Sequence, residues 1–244
     1  MQFNRKQCFY EEWIKRLLDI FCSVLTIVIF SWLYIIIALL VRWKMGSPVI
    51  FRQERPGRID LRTGKEKIFY LYKFRTMTNA KDQNGNLLPD NERLTGFGIW
   101  LRRSSMDEIP EVFNILKGDM SVIGPRPQLV RDLVFMSNEQ RMRHTVRPGL
   151  SGLAQVMGRN AISWEEKLGW DLIYIENISL WNDLKILLLT VKKVFCQGES
   201  SDELDVADDY GDYLLKSGKI SQEKYNELKE YARTLGVEYL QIGK

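Results

Sequence analysis

At 244 residues, with 45% hydrophobic and 27% charged side chains, the chain is long enough for one large domain or two small ones, which excludes a wholly disordered chain, a collagen and a multi-span transporter. A lone histidine, His144, excludes a multi-histidine metal site, and Cys8, Cys22 and Cys196 form neither a CxxC nor a zinc spacing, so no disulfide framework is expected and a reducing compartment fits. Residues 197–244 carry 11 acids and 6 bases, leaving 20 acids and 29 bases before them; such a basic body either meets an anionic partner (nucleic acid, phosphorylated metabolite or membrane surface) or is simply solvated.

The first predicted element is apolar. From Leu17 to Val41 the only charge is Asp19, and a helix of that length reaches ~37 Å, enough for a ~30 Å hydrocarbon core. A cleaved signal peptide fits poorly, because the run is long and Arg42 follows it. Arg5, Lys6, Lys15 and Arg16 lie on one flank, and Arg42, Lys44, Arg52, Arg55 and Arg58 on the other. Both flanks therefore read as cytoplasmic. Two readings stay open: a re-entrant segment that breaks near Ser31, Trp32 and Tyr34, and a plain span with two basic flanks.

Beyond Gly46-Ser47-Pro48 the pattern changes. Val49–Phe51 and Ile68–Phe74 read as strands joined around Thr63-Gly64-Lys65, a hairpin in which Lys73 and Arg75 project from one face. Residues 79–96 read as a loop, and helices are expected over about 97–103, 107–117, 126–144 and 163–176. Residues 180–195 form an amphipathic helix suited to a membrane interface or to a core. Residues 197–213 are acidic and expected to be flexible, with a helix from about Ser221 to Leu235 after them.

Three motifs carry candidate chemistry. In Arg102-Arg103-Ser104-Ser105-Met106-Asp107-Glu108, adjacent carboxylates beside arginines suit a divalent cation and a phosphate, or a nucleophile at phosphorus. The plainer reading is a capping box, Ser105-x-x-Glu108. In Gly124-Pro125-Arg126-Pro127 two prolines stiffen the chain around one arginine, fit for a phosphate or for a simple rigid turn. In Arg147-Pro148-Gly149-Leu150-Ser151-Gly152 through Gly158-Arg159 the glycines suit close backbone approach to an anion, although no P-loop or dinucleotide fingerprint is present.

Over about residues 14–196 the sequence resembles the bacterial sugar transferase family, the small monotopic phosphoglycosyl transferases. The motifs are KRLLDI, GSPVIFRQERPG, YKFRTM, LRRSSMDEIPEVFNILKGDMSVIGPRP, VRPGLSGLAQVMGRN and the Asp171, Tyr174, Asp183 region. Within the family it is most similar to enzymes that initiate Campylobacter-type N-linked glycan assembly. The resemblance implies an α+β, mostly helical fold: an N-terminal re-entrant helix-break-helix in residues 1–46 and a catalytic domain in 47–196 with a small β-hairpin and amphipathic interfacial helices around a cytoplasmic site. Residues 197–244 form an extension beyond the family core. The family's usual Ser-Pro at the membrane break is Ser31-Trp32 here.

The resemblance also implies transfer of a sugar 1-phosphate from a UDP-sugar, with N-acetylated or bacillosamine-type sugars expected, to undecaprenyl phosphate at the cytoplasmic face of the bacterial inner membrane. UMP leaves, and downstream glycosyltransferases are expected partners. By the same carry-over Asp107 is the nucleophile, Glu108 its partner, and both hold Mg²⁺. Lys73, Arg75, Arg102, Arg126, Arg147 and Arg159 bind phosphate, and Asp171 and Asp183 support the site. The competing readings are a catalytically silent membrane scaffold and a conventional glycosyl transferase that releases UDP. No nucleic-acid module is recognisable, so nucleic acid is not an expected partner.

Overall fold

The computed structural model describes residue 5 and residues 7–60, 62–158, 162–196 and 209–242, with 194–196 and 235–242 described by backbone alone. A π-helical turn, Tyr10–Ile14, leads directly into α1, Lys15–Met45, which stops at Gly46 with φ +78°. The break expected at Ser31-Trp32 is absent: α1 is helical throughout. No proline interrupts residues 15–45, so no amide donor is lost, and the Ser31 hydroxyl donates to Val28 O at 3.1 Å inside the helix.

Both ends of α1 are fastened to the folded body while its middle faces outward. Lys15, Asp19 and Ser23, spaced by four, are buried, as are Ile37 and Val41. Val24, Leu25, Val28, Ile29, Phe30 and Trp32 between them are exposed.

Strand β1, Ile50–Asp60, pairs antiparallel with β2, Lys65–Phe74, from Ile50 opposite Phe74 to Pro56 opposite Ile68, and slips at a bulge before Ile59 meets Glu66. The Asp60 carboxylate accepts from Arg62 N at 2.8 Å, closing the turn. The expected loop holds one helical turn, α2, Asp90–Arg93, between bridges Met77–Leu94 and Lys81–Leu87. Thr95 caps α3, Gly96–Arg103, by accepting from Gly98 N at 3.0 Å. In α4, Glu111–Lys117, the buried Asn114 accepts from Tyr72 N at 3.0 Å and donates to Tyr70 O at 2.7 Å. One amide thereby covers the open edge of β2. Met106 and Ile109 pack with Ile37, Val41, Phe74 and Leu101, so α1, β2, α3 and the chain entering α4 share one core.

Two short strands absent from the sequence reading, β3 (Ser121–Ile123) and β4 (Gly149–Ser151), pair in parallel. The glycines around them make their close approach to chain, not to an anion. A Cβ on Gly149 would stand 2.1 Å from Gly124 N, and one on Gly152 would stand 2.2 Å from Gly124 O. The single helix expected over 126–144 is instead a 3₁₀ segment Val130–Phe135, α5 (Asn138–Arg141) and a 3₁₀ turn Met142–Thr145. Ser137 and Gln140 exchange side-chain-to-backbone bonds at 3.2 and 2.8 Å that start a new helix in the middle of that stretch.

Then follow α6 (Leu153–Met157), α7 (Trp164–Glu176, capped by Ser163) and α8 (Leu180–Cys196). Tyr174, Ile175 and Ile186 pack on Ile123 and Val146 in a second core. Residues 197–208 lie outside the described residues. After them α9 (Tyr210–Lys216) is helical where flexible chain is expected, and α10 (Gln222–Ile242) runs past Leu235. Tyr210 and Leu214 pack on Met136, Trp164 and Leu168, and Tyr225 stacks on Phe135 at 5.8 Å between ring centroids.

Gly149→Ala forces a methyl into backbone, so it is expected to cost at least ~1–3 kcal/mol. Gly169→Ala in α7, where a Cβ would meet no other part of the fold within 4 Å, is expected to be neutral or stabilising. Thermal melting of the two variants in one detergent checks this.

Candidate active site

Asp107 and Glu108 occupy a 3₁₀ turn, Met106–Glu108, entered through Ser105 at φ +53°. A left-handed serine is uncommon and strained, and it turns the chain sharply after α3. The capping-box reading does not hold: the Ser105 side chain makes no cap bond, and α4 begins only at Glu111. Glu108 reaches the other way. Its Oε1 accepts from Lys73 Nζ on β2 at 2.7 Å and from the Arg126 guanidinium of the Pro-Arg-Pro loop. Both ion pairs fall on Oε1.

Electrostatics separate the carboxylates. Asp107, only 8% exposed, is pushed up to about 6 by burial, with Lys73 opposing and Glu108 adding to the rise. Burial would raise Glu108 too, but Arg126 and Lys73 outweigh it and hold it well below the usual carboxylate range. The same pairing drives the Arg126 guanidinium above its ordinary value. A third carboxylate, Glu111, lies 3.3 Å from Lys73 and is pushed up to about 7 by burial and by the Glu108 charge. Two acids that titrate near neutrality thus sit beside one firmly ionised acid and two cations.

The predicted phosphate ligands divide. Lys73 and Arg126 meet at Glu108, and Arg102, whose charge acts on Asp107, donates its Nε to Thr76 Oγ1 at 3.0 Å. Arg75, although two residues from Lys73, instead donates to Ser47 O at 2.8 Å and holds the loop after α1. Arg147 donates to Gly118 O at 3.1 Å, beyond the C-terminal end of α4 and away from the dyad. Arg159 lies outside the described residues.

The two supporting acids do different work. Asp171 pairs with Arg143 at 2.6 Å, and Arg143 also donates to Arg126 O at 2.7 Å, so the pair positions the arginine loop from behind. Asp183 accepts from Lys15, from Tyr10 at 2.8 Å and from Tyr174 at 2.8 Å, clamping the start of α1 to α8. Glu111, Arg143 and Arg55 join the site beyond the residues that the sequence motifs single out. Arg55 donates to Pro127 O at 3.2 Å and is lowered to about 10 by burial and the Arg126 charge. Glu111 had a sequence signal, since it follows Glu108 by three at a helix start. Arg143 had none, because its partners are 17 and 28 residues away.

As for a metal, among the described residues no group of three His, Cys, Asp or Glu side chains is placed to hold an ion. The oxygen donors of Asp107 and Glu108 nonetheless suit Mg²⁺, which binds through one or two carboxylates together with water and substrate phosphates.

A family model described as bacterial sugar transferase matches residues 10–197. The chain is similar to an uncharacterized sugar transferase, EpsL, of Bacillus subtilis, with 48% identity over 181 residues, covering 74% of this chain and 87% of that protein. It is also similar to a UDP-glucose:undecaprenyl-phosphate glucose-1-phosphate transferase of Klebsiella pneumoniae, 38% identical over 196 residues, 74% of this chain and 40% of that one. A third relative is a UDP-N-acetylgalactosamine-undecaprenyl-phosphate N-acetylgalactosaminephosphotransferase of Aeromonas hydrophila, 38% identical over 193 residues, 74% and 43%. The chain thus spans most of EpsL and about two fifths of the other two.

Asp171→Asn leaves the Arg143 guanidinium, 2% exposed, without its charge partner, at an expected cost of ~3–5 kcal/mol. Asp171→Asn with Arg143→Met should recover part of that stability in denaturant titrations while activity stays low, because the Arg126 carbonyl has lost its donor.

Proposed function

Because the chain belongs to the bacterial sugar transferase family, we propose that it moves a sugar 1-phosphate from a UDP-sugar to undecaprenyl phosphate, releasing UMP, as the first membrane step of glycoconjugate assembly. The observation that carries this reading is the shielded Asp107 beside a Glu108 that Lys73 and Arg126 already hold as an anion. In this reading an Asp107 carboxylate oxygen bonds to the β-phosphorus while the bond from that phosphorus to the bridging oxygen breaks, and UMP leaves with the oxygen. An oxygen of polyprenyl phosphate then attacks the same phosphorus, and Asp107 departs as carboxylate. With its pKa near 6, Asp107 is largely ionised at neutral pH.

Lys73, Arg126 and Arg102 supply positive charge where the transferring phosphoryl group would gather negative charge. Glu108 keeps the first two cations in place, and Arg55 and Arg143 hold the backbone of the arginine loop through its carbonyls. Mg²⁺, held by Asp107 and Glu108, would neutralise charge on the diphosphate.

The seating of α1 supports a dip into one leaflet in preference to a span. Helix α4, about 10 Å long at seven residues, is touched by both the first turn and the second half of α1: Arg16 donates to Ile115 O at 2.6 Å and to Leu116 O at 2.7 Å, and Tyr34 meets Phe113 edge-on at 5.6 Å. A body that grips both flanks of the apolar run keeps both on one side of the bilayer, here the cytoplasmic face of the inner membrane. The exposed row Leu180, Trp181, Leu184, Leu187, Leu188 and Val191 on α8 suits the same interface.

Purified protein incubated with Mg²⁺ and a panel of UDP-sugars, without acceptor, is expected to gain the mass of one sugar phosphate, and the panel names the sugar. Asp107→Asn should abolish that gain and lower UMP release by roughly 10³-fold or more. UMP release without any adduct would redirect the mechanism to direct attack by the acceptor. UDP in place of UMP would make the protein a conventional glycosyl transferase, and no product with any donor would make it a silent scaffold.

A further inference from the structure

A second basic site lies on the far side of α4. Where β1 slips at its bulge, a cleft of about 430 Å³ opens between the bulge and the Gly118-Asp119 turn that ends α4. Its floor is apolar, Ile59 and Phe69, and its walls carry Arg58, Arg62, Lys67 and Arg147 against the acids Asp60 and Asp119. Asp60 is committed to its own turn through Arg62, and Asp119 stands 3.9 Å from Lys67. Among the described residues that leaves two guanidiniums without an ion pair, Arg58 and Arg147. Among the described residues Arg58 makes no hydrogen bond or ion pair, and Arg147 donates only to the Gly118 carbonyl. Burial and the Arg147 charge lower the Arg58 pKa, and the nearby Glu11 is engaged by Arg5 at 2.7 Å. Two half-buried like charges side by side repel each other, and an anion between them relieves that repulsion.

The position of the cleft indicates which anion. A crevice sharing Arg58 and Arg147 is lined also by Glu11, Lys15 and Ile178, which brings the pair beside the first turn of α1. Aromatic side chains mark that level: Phe9 is 70%, Trp13 62% and Trp181 78% exposed, as expected of rings lying among lipid headgroups. The dyad is elsewhere. Lys67 precedes Lys73 by six residues of β2, roughly 20 Å, and α4 lies between.

We propose that this cleft binds the phosphate of an anionic membrane phospholipid, with Arg58 and Arg147 as its principal ligands and Lys67 at the rim. Guanidiniums bind phosphate oxygens in pairs, and basic pockets at the cytoplasmic end of membrane helices favour anionic headgroups. The occupied site would pin the N-terminal end of α1 and set the tilt of the catalytic body.

Detergent-purified full-length protein mixed with equal amounts of palmitoyl-oleoyl-phosphatidylglycerol and phosphatidylcholine, read by native mass spectrometry, tests this independently of sugar transfer. Wild type should retain phosphatidylglycerol preferentially, and Arg58→Gln with Lys67→Gln should lose that preference by about 10-fold or more. A charge-matched control, Lys224→Gln with Arg233→Gln on α10, should keep it, and unchanged thermal melting verifies the fold of both. Equal loss in the control, or full retention in the cleft variant, overturns the proposal. If inorganic phosphate at millimolar concentration strips the lipid from wild type, the ligand is a soluble phosphate and the lipid assignment fails.

Discussion

Glu108 is where three remote pieces of chain meet. Lys73 arrives on β2, Arg126 on the loop after β3, and the carboxylate itself on a strained turn between α3 and α4. Pulling these together buries charge, which is tolerable only because every member has a partner. The rest of the body reads as support for that junction. Asn114 fixes α4 to the strand that bears Lys73. The two prolines around Arg126 have no amide to donate, and the carbonyls of residues 126 and 127 are taken by Arg143 and Arg55. The nucleophile candidate sits next to this junction and outside its ion pairs, which leaves Asp107 the least compensated carboxylate of the dyad.

The extension beyond the family match leans on the same loop. Segment Val130–Phe135 continues directly from Pro-Arg-Pro, and α9 and α10 close over it through Tyr210, Leu214 and Tyr225. Tyr213 and Lys219 add bonds to Glu165 on α7. A part of the chain that carries no candidate chemistry thus joins the packing that stiffens the arginine loop.

Local patterns were legible in the sequence where the cause was local. The apolar run, the hairpin, Thr95-led α3, Ser163-led α7 and the amphipathic α8 each follow from periodicity or a cap within a few residues. The dyad became legible through its resemblance to a family, since its residues alone fit a capping box equally well. What stayed hidden depends on distant partners. Arg75 and Lys73 share a strand face by spacing, yet Arg75 bends to the loop behind α1 and only Lys73 reaches the dyad. The glycines near residue 150 spell close approach without saying to what, and the answer is the chain at Gly124. Asp183 and Asp171 look alike in sequence, but one clamps the start of α1 and the other braces a loop.

The polar stripe on α1 bears on how the protein is made. Lys15 and Asp19 find their partners at Asp183 and Ser121, 168 and 102 residues later in the chain. At ~5–20 residues per second, roughly 10–30 s separate synthesis of Lys15 from that of Asp183. During that interval the most apolar part of the protein has already left the ribosome with a lysine and an aspartate unpaired. The contacts that fasten the start of α1 therefore close last, once Asp183 on α8 has been made.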